Sequence, residues 1–422
     1  MPITRIAAAN FKSFSDLDIP LSPFNVVIGS NASGKSNFIS IFKFLRDIAK
    51  NGLVNAIAMQ GGPEYLRNTR IGLSRDLSIR VDYRPEPRFE IVKEEQGGDR
   101  VIAAQTSEST YEFSIRFHDP GQGFSITRDR LTIRCGVFEC KSSCTDPATE
   151  GRPLGTGTIV VTSSGGMVMT DIDLPEECPF TEKDVLPAVF KRRPIPEKTL
   201  LLETPYAYPL PHLEKFFDRM AIYDIDPKLP RKGVVITGKS ELEEDGGNLA
   251  LVIKLISEDP EKRRKLANLI KDVLPFIEDF SVQKFMDVSL ILTLRERYAK
   301  EQDLPASSLS DGTITIFALI IVLYFENKPF IIIEEPVSHI HPFLVSRIIS
   351  MMKEVSGHRQ LMVTTHSAEV VKHTALDDIL LISRDSDGYS VVSRPADKEE
   401  VRTFLANEVG IDDLYIQNLL GL

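Results

Sequence analysis

Apolar and polar positions follow three rhythms along this chain, and each predicts a different kind of element. Short apolar runs stand at Val26–Ile28 and Phe330–Ile333, and the run Gln360–Thr365 has Leu361, Met362 and Val363 at its centre; runs of this length predict strands buried on both faces of a sheet. Helical spacing appears from Lys35 to about Lys50, where Phe38, Ile41, Phe42, Leu45 and Ile48 share one face. It returns at Leu249, Val252, Ile253 and Ile256, and after Asp259-Pro260 at Leu266, Leu269, Ile270 and Val273. A helix apolar on every side is expected from Ile314 to Phe325, and another from Phe343 to Lys353.

The third rhythm is period two. Leu77, Ile79, Val81 and Tyr83 alternate with polar residues, as do Tyr111, Phe113, Ile115 and Phe117. Shorter strands are expected at Phe124–Thr127, Leu131–Arg134, Thr158–Thr162 and Met167–Ile172, separated by turn clusters such as 96–99 and 163–166. Residues 77–204 thus form a β-rich insertion. Two short strands, Ile3–Ala9 and Leu17–Ile19, open the chain, a short helical piece ends at Gly61-Gly62, and two more strands are expected at Asp279–Met286 and Ser289–Leu294.

Chemistry enters at the loop after Val26–Ile28. Gly29-Ser30-Asn31-Ala32-Ser33-Gly34-Lys35-Ser36 fits G-x-x-x-x-G-K-[ST], and Asn37 follows. The loop stands between strand and helix, so its N–H groups and the positive helix end converge on one anion. The glycines permit the tight turn. Lys35 is expected to reach the β and γ phosphates of ATP and the Ser36 hydroxyl to hold Mg²⁺. The expected fold class is α/β, a P-loop NTPase head with a mixed sheet and flanking helices.

The other half of such a site lies in the last third of the chain. Glu334 and Glu335 follow the run Phe330–Ile333, and acids at the carboxyl end of a strand in an open α/β sheet face the ligand crevice. Adjacent buried carboxylates need a counter-ion, which Mg²⁺ provides. Glu334 is expected at the metal and Glu335 at the attacking water, while His366, at the end of the next strand, faces the γ phosphate. Upstream, Ser310 and Gly312 precede the apolar helix and offer a second anion site, best satisfied by the nucleotide of a second copy. The expected organisation is a discontinuous nucleotide-binding lobe (1–76 and 301–422), the insertion (77–204), and a helical and strand region (205–300) leading to the Ser310 loop.

Composition narrows the setting. A net charge of -10 argues against a uniformly basic nucleic-acid surface. The basic runs Lys191–Arg193 and Lys262–Lys265 read as solvated faces. No apolar run reaches the roughly 18 to 20 residues that span a bilayer, and the amino terminus lacks a signal-peptide layout, so a cytoplasmic protein without membrane partners is expected. Cys135, Cys140, Cys144 and Cys178 miss the C-x-x-C pairs of common zinc ribbons and are expected as thiols.

The order of these parts resembles the ABC-class P-loop ATPases. Asn10–Phe14 resembles their N-F-K-S-F opening, Gly29–Ser36 Walker A, Leu309–Gly312 the signature loop, Ile331–Glu335 Walker B with its catalytic glutamate, Ser338–His341 the D-loop and His366 the switch histidine. The stretches around Glu334-Glu335-Pro336 and Thr364-Thr365-His366-Ser367 are similar to the RecF/SMC-related prokaryotic group, which includes the heads of OLD proteins. The resemblance implies an ATPase forming a nucleotide-sandwiched homodimer, in DNA repair or anti-phage defence, with DNA or an effector protein (nuclease or toxin) as partner. The alternative is a nucleotide-gated scaffold that holds an effector with little turnover. Departures are Glu334 where most of the class has Asp, and His341 where the D-loop usually has Asp. Gln60, Gln96 and Gln105 all remain open for the Q-loop glutamine. Long coiled-coil arms are missing, and the stretch after His366 is too short for the nuclease domain of OLD proteins.

Overall fold

The computed structural model describes residues 2–84, 89–94, 100–119, 122–141, 147–185, 194–204, 210–235, 239–285, 289–298, 302–406 and 409–420. Gln96, Cys144, Lys191–Arg193 and the turn at 96–99 lie outside the described residues. The chain divides into two compact units, one made of Met1–Ser22, Ser36–Met220 and Ser383–Val392, the other of Pro23–Lys35, Ala221–Ile382 and Ser393–Leu422.

The first unit is built on an eight-stranded antiparallel sheet. Its order is Phe14–Pro20, Ile3–Phe11, Leu77–Tyr83, Arg100–Phe117, Phe124–Lys141, Arg152–Ser164 and Met167–Asp173, with Phe89–Glu94 also paired to Arg100–Phe117. The opening hairpin therefore shares a sheet with strands of the 77–204 segment. The alternation around residues 77–83 and 111–117 is used as expected: Val81, Ile79 and Leu77 stand opposite Tyr111, Phe113 and Ile115, all buried. The helix Lys35–Asn51 buries Phe38, Ile41, Phe42, Leu45 and Ile48. Phe14 meets Phe38 at 6.4 Å and Phe11 meets Phe44 at 6.1 Å between ring centroids, so the opening loop packs on this helix.

One difference from the sequence reading has a clear cause. The pieces expected at Phe124–Thr127 and Leu131–Arg134 form a single strand, Phe124–Lys141. The charged triplet Arg128-Asp129-Arg130 between them reads as a turn, yet Asp129 is buried and lies in register with Phe113. Its Oδ1 accepts from the Tyr111 hydroxyl at 2.8 Å and its Oδ2 from Leu201 N–H at 2.8 Å. Burial pushes this carboxyl up to about 7, against the hydrogen bonds from Leu201 and Tyr111 that hold it down. Its proton is held more tightly in the folded than in the unfolded chain, so stability is greatest below about pH 4 for this group and is lost as pH rises toward 7. The full swing is on the order of 4 kcal/mol. Melting temperatures at pH 5, 6, 7 and 8 should fall less steeply for Asp129→Asn than for the wild type; parallel curves would show that Asp129 does not titrate between folded and unfolded states.

The second unit holds parallel strands of a six-stranded sheet in the order Ala221–Tyr223, Phe330–Glu334, Gln360–Thr365, Phe24–Ile28 and Ile379–Arg384, with Ser390–Ser393 next in order. The central three are buried along nearly their whole length, the polar Asn25, Gln360, Thr364 and Thr365 included. A four-stranded antiparallel sheet contains Val234–Val235, Ser289–Glu296, Ile277–Phe285 and Asp303–Pro305. The helices Leu249–Ser257 and Pro260–Val273 bury Leu249, Val252, Ile253, Ile256, Leu266 and Ile270 in the same core as the apolar helix Asp311–Tyr324. Asp259 caps the second of these, accepting from Glu261 N–H at 2.9 Å. Among the described residues no helix is long and apolar enough to cross a membrane.

Candidate functional site

Parallel register brings the motif ends together. Ile28 stands opposite Thr365 and Glu334 opposite Thr364, so Gly29, Glu335 and His366 each begin where one of three adjacent strands ends. This is the carboxyl edge of an open α/β sheet, where ligands bind.

The phosphate loop is shaped by backbone that few residues tolerate. Gly34 has φ 119° and Ala32 φ 60°. At Gly29 a Cβ would lie 2.3 Å from Ile382 O and 2.7 Å from Ser33 Oγ, so the loop and the edge strand leave space for hydrogen alone. Ser33 N–H donates to Ser30 O at 3.2 Å, tightening the turn. Ser30, Asn31 and Ala32 are exposed at its rim, and Lys35, Ser36 and Asn37 open the helix Lys35–Asn51. The Lys35 ammonium folds onto its own loop, donating to Gly29 O at 2.7 Å and Ser30 O at 3.1 Å. Burial lowers its pKa from the ordinary lysine value, while the nearby Glu335 charge opposes that shift.

Glu335 occupies a strained position. Its φ is 45°, a left-handed conformation costing on the order of 1 kcal/mol for a side-chain-bearing residue. Its N–H donates to Thr364 O at 2.9 Å, and its carbonyl accepts from the Ser338 hydroxyl at 3.0 Å. The turn aims the carboxylate across the strand ends. Oε1 is 2.7 Å from His366 Nδ1, and Oε2 accepts from the Thr365 hydroxyl at 3.2 Å. The structure thus brings Lys35, Glu335 and His366 to one place. Glu334 is half-buried at the end of its strand.

Ser310 and Gly312 sit elsewhere. Ser310 caps the helix Asp311–Tyr324, its Oγ accepting from Thr313 N–H at 3.1 Å. Gly312 presses on the loop after Glu335: a Cβ there would lie 2.5 Å from His339 O. Gly312→Ala is therefore expected to cost about 1–3 kcal/mol of stability in a denaturant titration; an unchanged midpoint would mean that the 338–341 backbone gives way freely.

Two side chains that sequence reasoning did not single out belong to this neighbourhood. Arg231 donates to Leu309 O at 2.6 Å and pairs with Asp311 at 2.6 Å, fixing the loop before the apolar helix. Tyr415, on Ile411–Ile416, donates from its hydroxyl to His366 O at 3.5 Å. Neither lies in a recognisable motif. His341, expected in the D-loop, caps the helix Pro342–Ser356 through its ring, its Nδ1 accepting from Phe343 N–H at 3.3 Å.

The first unit has a polar cavity of its own, about 860 Å³, lined by Lys12, Ser13, Asn37, Gln60, Arg70 and Tyr389 among others. Asn37 donates to Ser13 Oγ at 2.8 Å, and Lys12 donates to Gln60 Oε1 at 3.2 Å. Gln105 lies in the strand Arg100–Phe117. Cys135 is buried, and Cys140 and Cys178 are half-buried; among the described residues no group of three or more His, Cys, Asp and Glu is arranged to hold a metal.

Residues 24–142 and 236–372, more than half of the chain, match the family described as "AAA domain, putative AbiEii toxin, Type IV TA system". The chain belongs to this AAA family. Over 48 residues, 11% of this chain, it is 50% identical to the DNA replication and repair protein RecF of Desulforudis audaxviator (strain MP104C), of whose length the match spans 13%. Among solved structures, an SMC head bound to the C-winged helix domain of ScpA is 17% identical, covering 93% of this chain and 98% of that one at a TM-score of 0.49. The Smc head with an extended coiled coil from Pyrococcus furiosus, bound to the C-terminal domain of ScpA, is 14% identical, covering 96% and 99% at 0.46. The family match and the RecF likeness bear out the sequence's placement in the RecF/SMC-related group of ABC-class P-loop ATPases.

Proposed function

We propose that this AAA-family chain binds ATP with Mg²⁺ at the Gly29–Asn37 loop and hydrolyses it to ADP and phosphate. The observation that carries the reading is the meeting of Lys35, Glu335 and His366 at one sheet edge, with Glu335 Oε1 2.7 Å from His366 Nδ1. The Ser36 hydroxyl and the Glu334 carboxylate are the groups that would hold the metal, hard oxygen ligands of the kind Mg²⁺ takes. Bound there, it would supply positive charge against that of the phosphates. Lys35 leaves its loop carbonyls for the phosphates, and the loop N–H groups from Ser30 to Ser36 hold them in place. Glu335 orients water for in-line attack, and His366 steadies Glu335 and donates to the γ phosphate.

Two copies complete the machine in this reading. Ser310 and Gly312 make their contacts with Thr313 and with the 338–341 loop, which leaves the helix start to take the phosphates of a second copy, head to tail. ATP then joins the dimer and hydrolysis releases it. The printed name of the RecF relative motivates DNA as the target, in repair or defence, and the toxin–antitoxin wording of the family motivates an effector protein held by a slowly turning scaffold. Phosphate release with and without DNA separates them: stimulation by DNA supports the first, while ATP-dependent dimers with negligible turnover support the second.

A further inference from the structure

The last helix of the chain reaches the proposed nucleotide site through one hydroxyl. Tyr415 lies on Ile411–Ile416, which is anchored by the buried Leu414 and packs against Ala368–Lys372, the helix directly after His366-Ser367. Leu419 N–H closes the turn onto Leu414 O at 2.7 Å, and Leu420 is buried behind it. From this base the phenol reaches the strand end that carries His366, donating to the backbone carbonyl of His366 at 3.5 Å. The half-buried phenol also lies within the field of the Glu335 carboxylate, which with burial pushes it above the ordinary tyrosine pKa, so it stays a neutral hydroxyl able to donate and accept together.

We propose that Tyr415 is a positioning residue of the hydrolytic site, its hydroxyl holding the His366 carbonyl so that the imidazole stays against Glu335. This deepens the ATPase reading and rests on it. The strand ends fix where His366 begins, but its side chain is exposed, and among the described contacts its ring is held by Glu335. A hydroxyl on the His366 carbonyl restricts the peptide that carries the ring. Hydrogen bonds at such sites are often long without ligand and shorten when substrate binds.

Tyr415→Phe keeps the ring and removes the hydroxyl. In the full chain kcat should fall about 5- to 10-fold, the worth of one neutral hydrogen bond, with KM within about two-fold of wild type. In a His366→Ala background the same change should cost less than about two-fold, because the residue it positions is gone. Independently of turnover, amide exchange in a peptide covering 363–372 should accelerate in the nucleotide-free protein, since the peptide that carries His366 loses the hydroxyl that holds it. Equal losses in both backgrounds, a change confined to KM, or unaltered exchange would overturn the proposal. Lys35→Ala separates the two levels: normal hydrolysis by that variant sinks the ATPase reading itself, whereas its inactivity beside a wild-type-like Tyr415→Phe sinks this inference alone.

Discussion

Lys35→Ala is expected to weaken ATP binding by about 100-fold and to lower hydrolysis by at least about 1,000-fold. The ammonium now spends its donors on Gly29 O and Ser30 O, contacts that any solvated loop could replace with water. Its distinctive value is a mobile positive charge inside a ring of backbone N–H groups, partly desolvated, where attraction to phosphate is stronger than in water. Ala at the first position of a helix carries no propensity cost, so melting should move by only a few degrees. Lys35→Arg should fail almost as badly, because a forked guanidinium does not fit a cradle in which Gly29 has no space for a methyl group. Calorimetric titration with ATP and a phosphate-release assay check both parts. Undiminished binding by Lys35→Ala would sink the site assignment, since nothing else in the loop carries that charge.

Much of the nucleotide-side architecture was legible because its elements announce themselves locally. The strand Gln360–Thr365 lies where the apolar run puts it, Phe330–Glu334 extends the expected run by the first acid, and the helix Lys35–Asn51 differs from expectation by one residue at its end. The parallel partners Ala221–Tyr223 and Ile379–Arg384 were not legible: the first is three residues long, and the second follows His366 without turn chemistry that separates it from neighbouring loops. In the first unit the long strands were seen in fragments. Asp129 shows why: a buried acid satisfied by Tyr111 and Leu201, partners 18 and 72 residues away, looks in sequence like a turn.

The site divides along the same line. Residues with fixed motif spacing can be named from the sequence; those that act across space cannot. Tyr415 reaches His366 only because a strand end and a helix 49 residues further on meet there, and Arg231 reaches Leu309 and Asp311 from a separate loop. No periodicity encodes such pairings. The strain at Glu335 was equally hidden, since a left-handed φ at a glutamate is imposed by the hydrogen bonds of its turn, to Thr364 and from Ser338, and not by its own preference.

Glu335→Gln should uncouple binding from turnover, with hydrolysis falling about 100- to 1,000-fold while ATP affinity stays equal or rises. Gln is nearly isosteric, keeps the carbonyl oxygen that accepts from the Thr365 hydroxyl, and inherits the same backbone hydrogen bonds, so the φ of 45° and its cost are unchanged. What it loses is the capacity to accept a proton from water and a negative charge facing the phosphates. Removing that charge lessens repulsion of the triphosphate, while Lys35 loses the neighbour that raises its pKa; the first effect acts directly on a multiply charged ligand and dominates. If the nucleotide joins two copies, the variant should accumulate as dimer in size-exclusion chromatography with ATP and return to monomer with ADP. Wild-type turnover by Glu335→Gln beside an inactive Lys35→Ala would keep the phosphate site and move the base elsewhere, with Glu334 the first candidate, because it ends the same strand and is half-buried at the same edge.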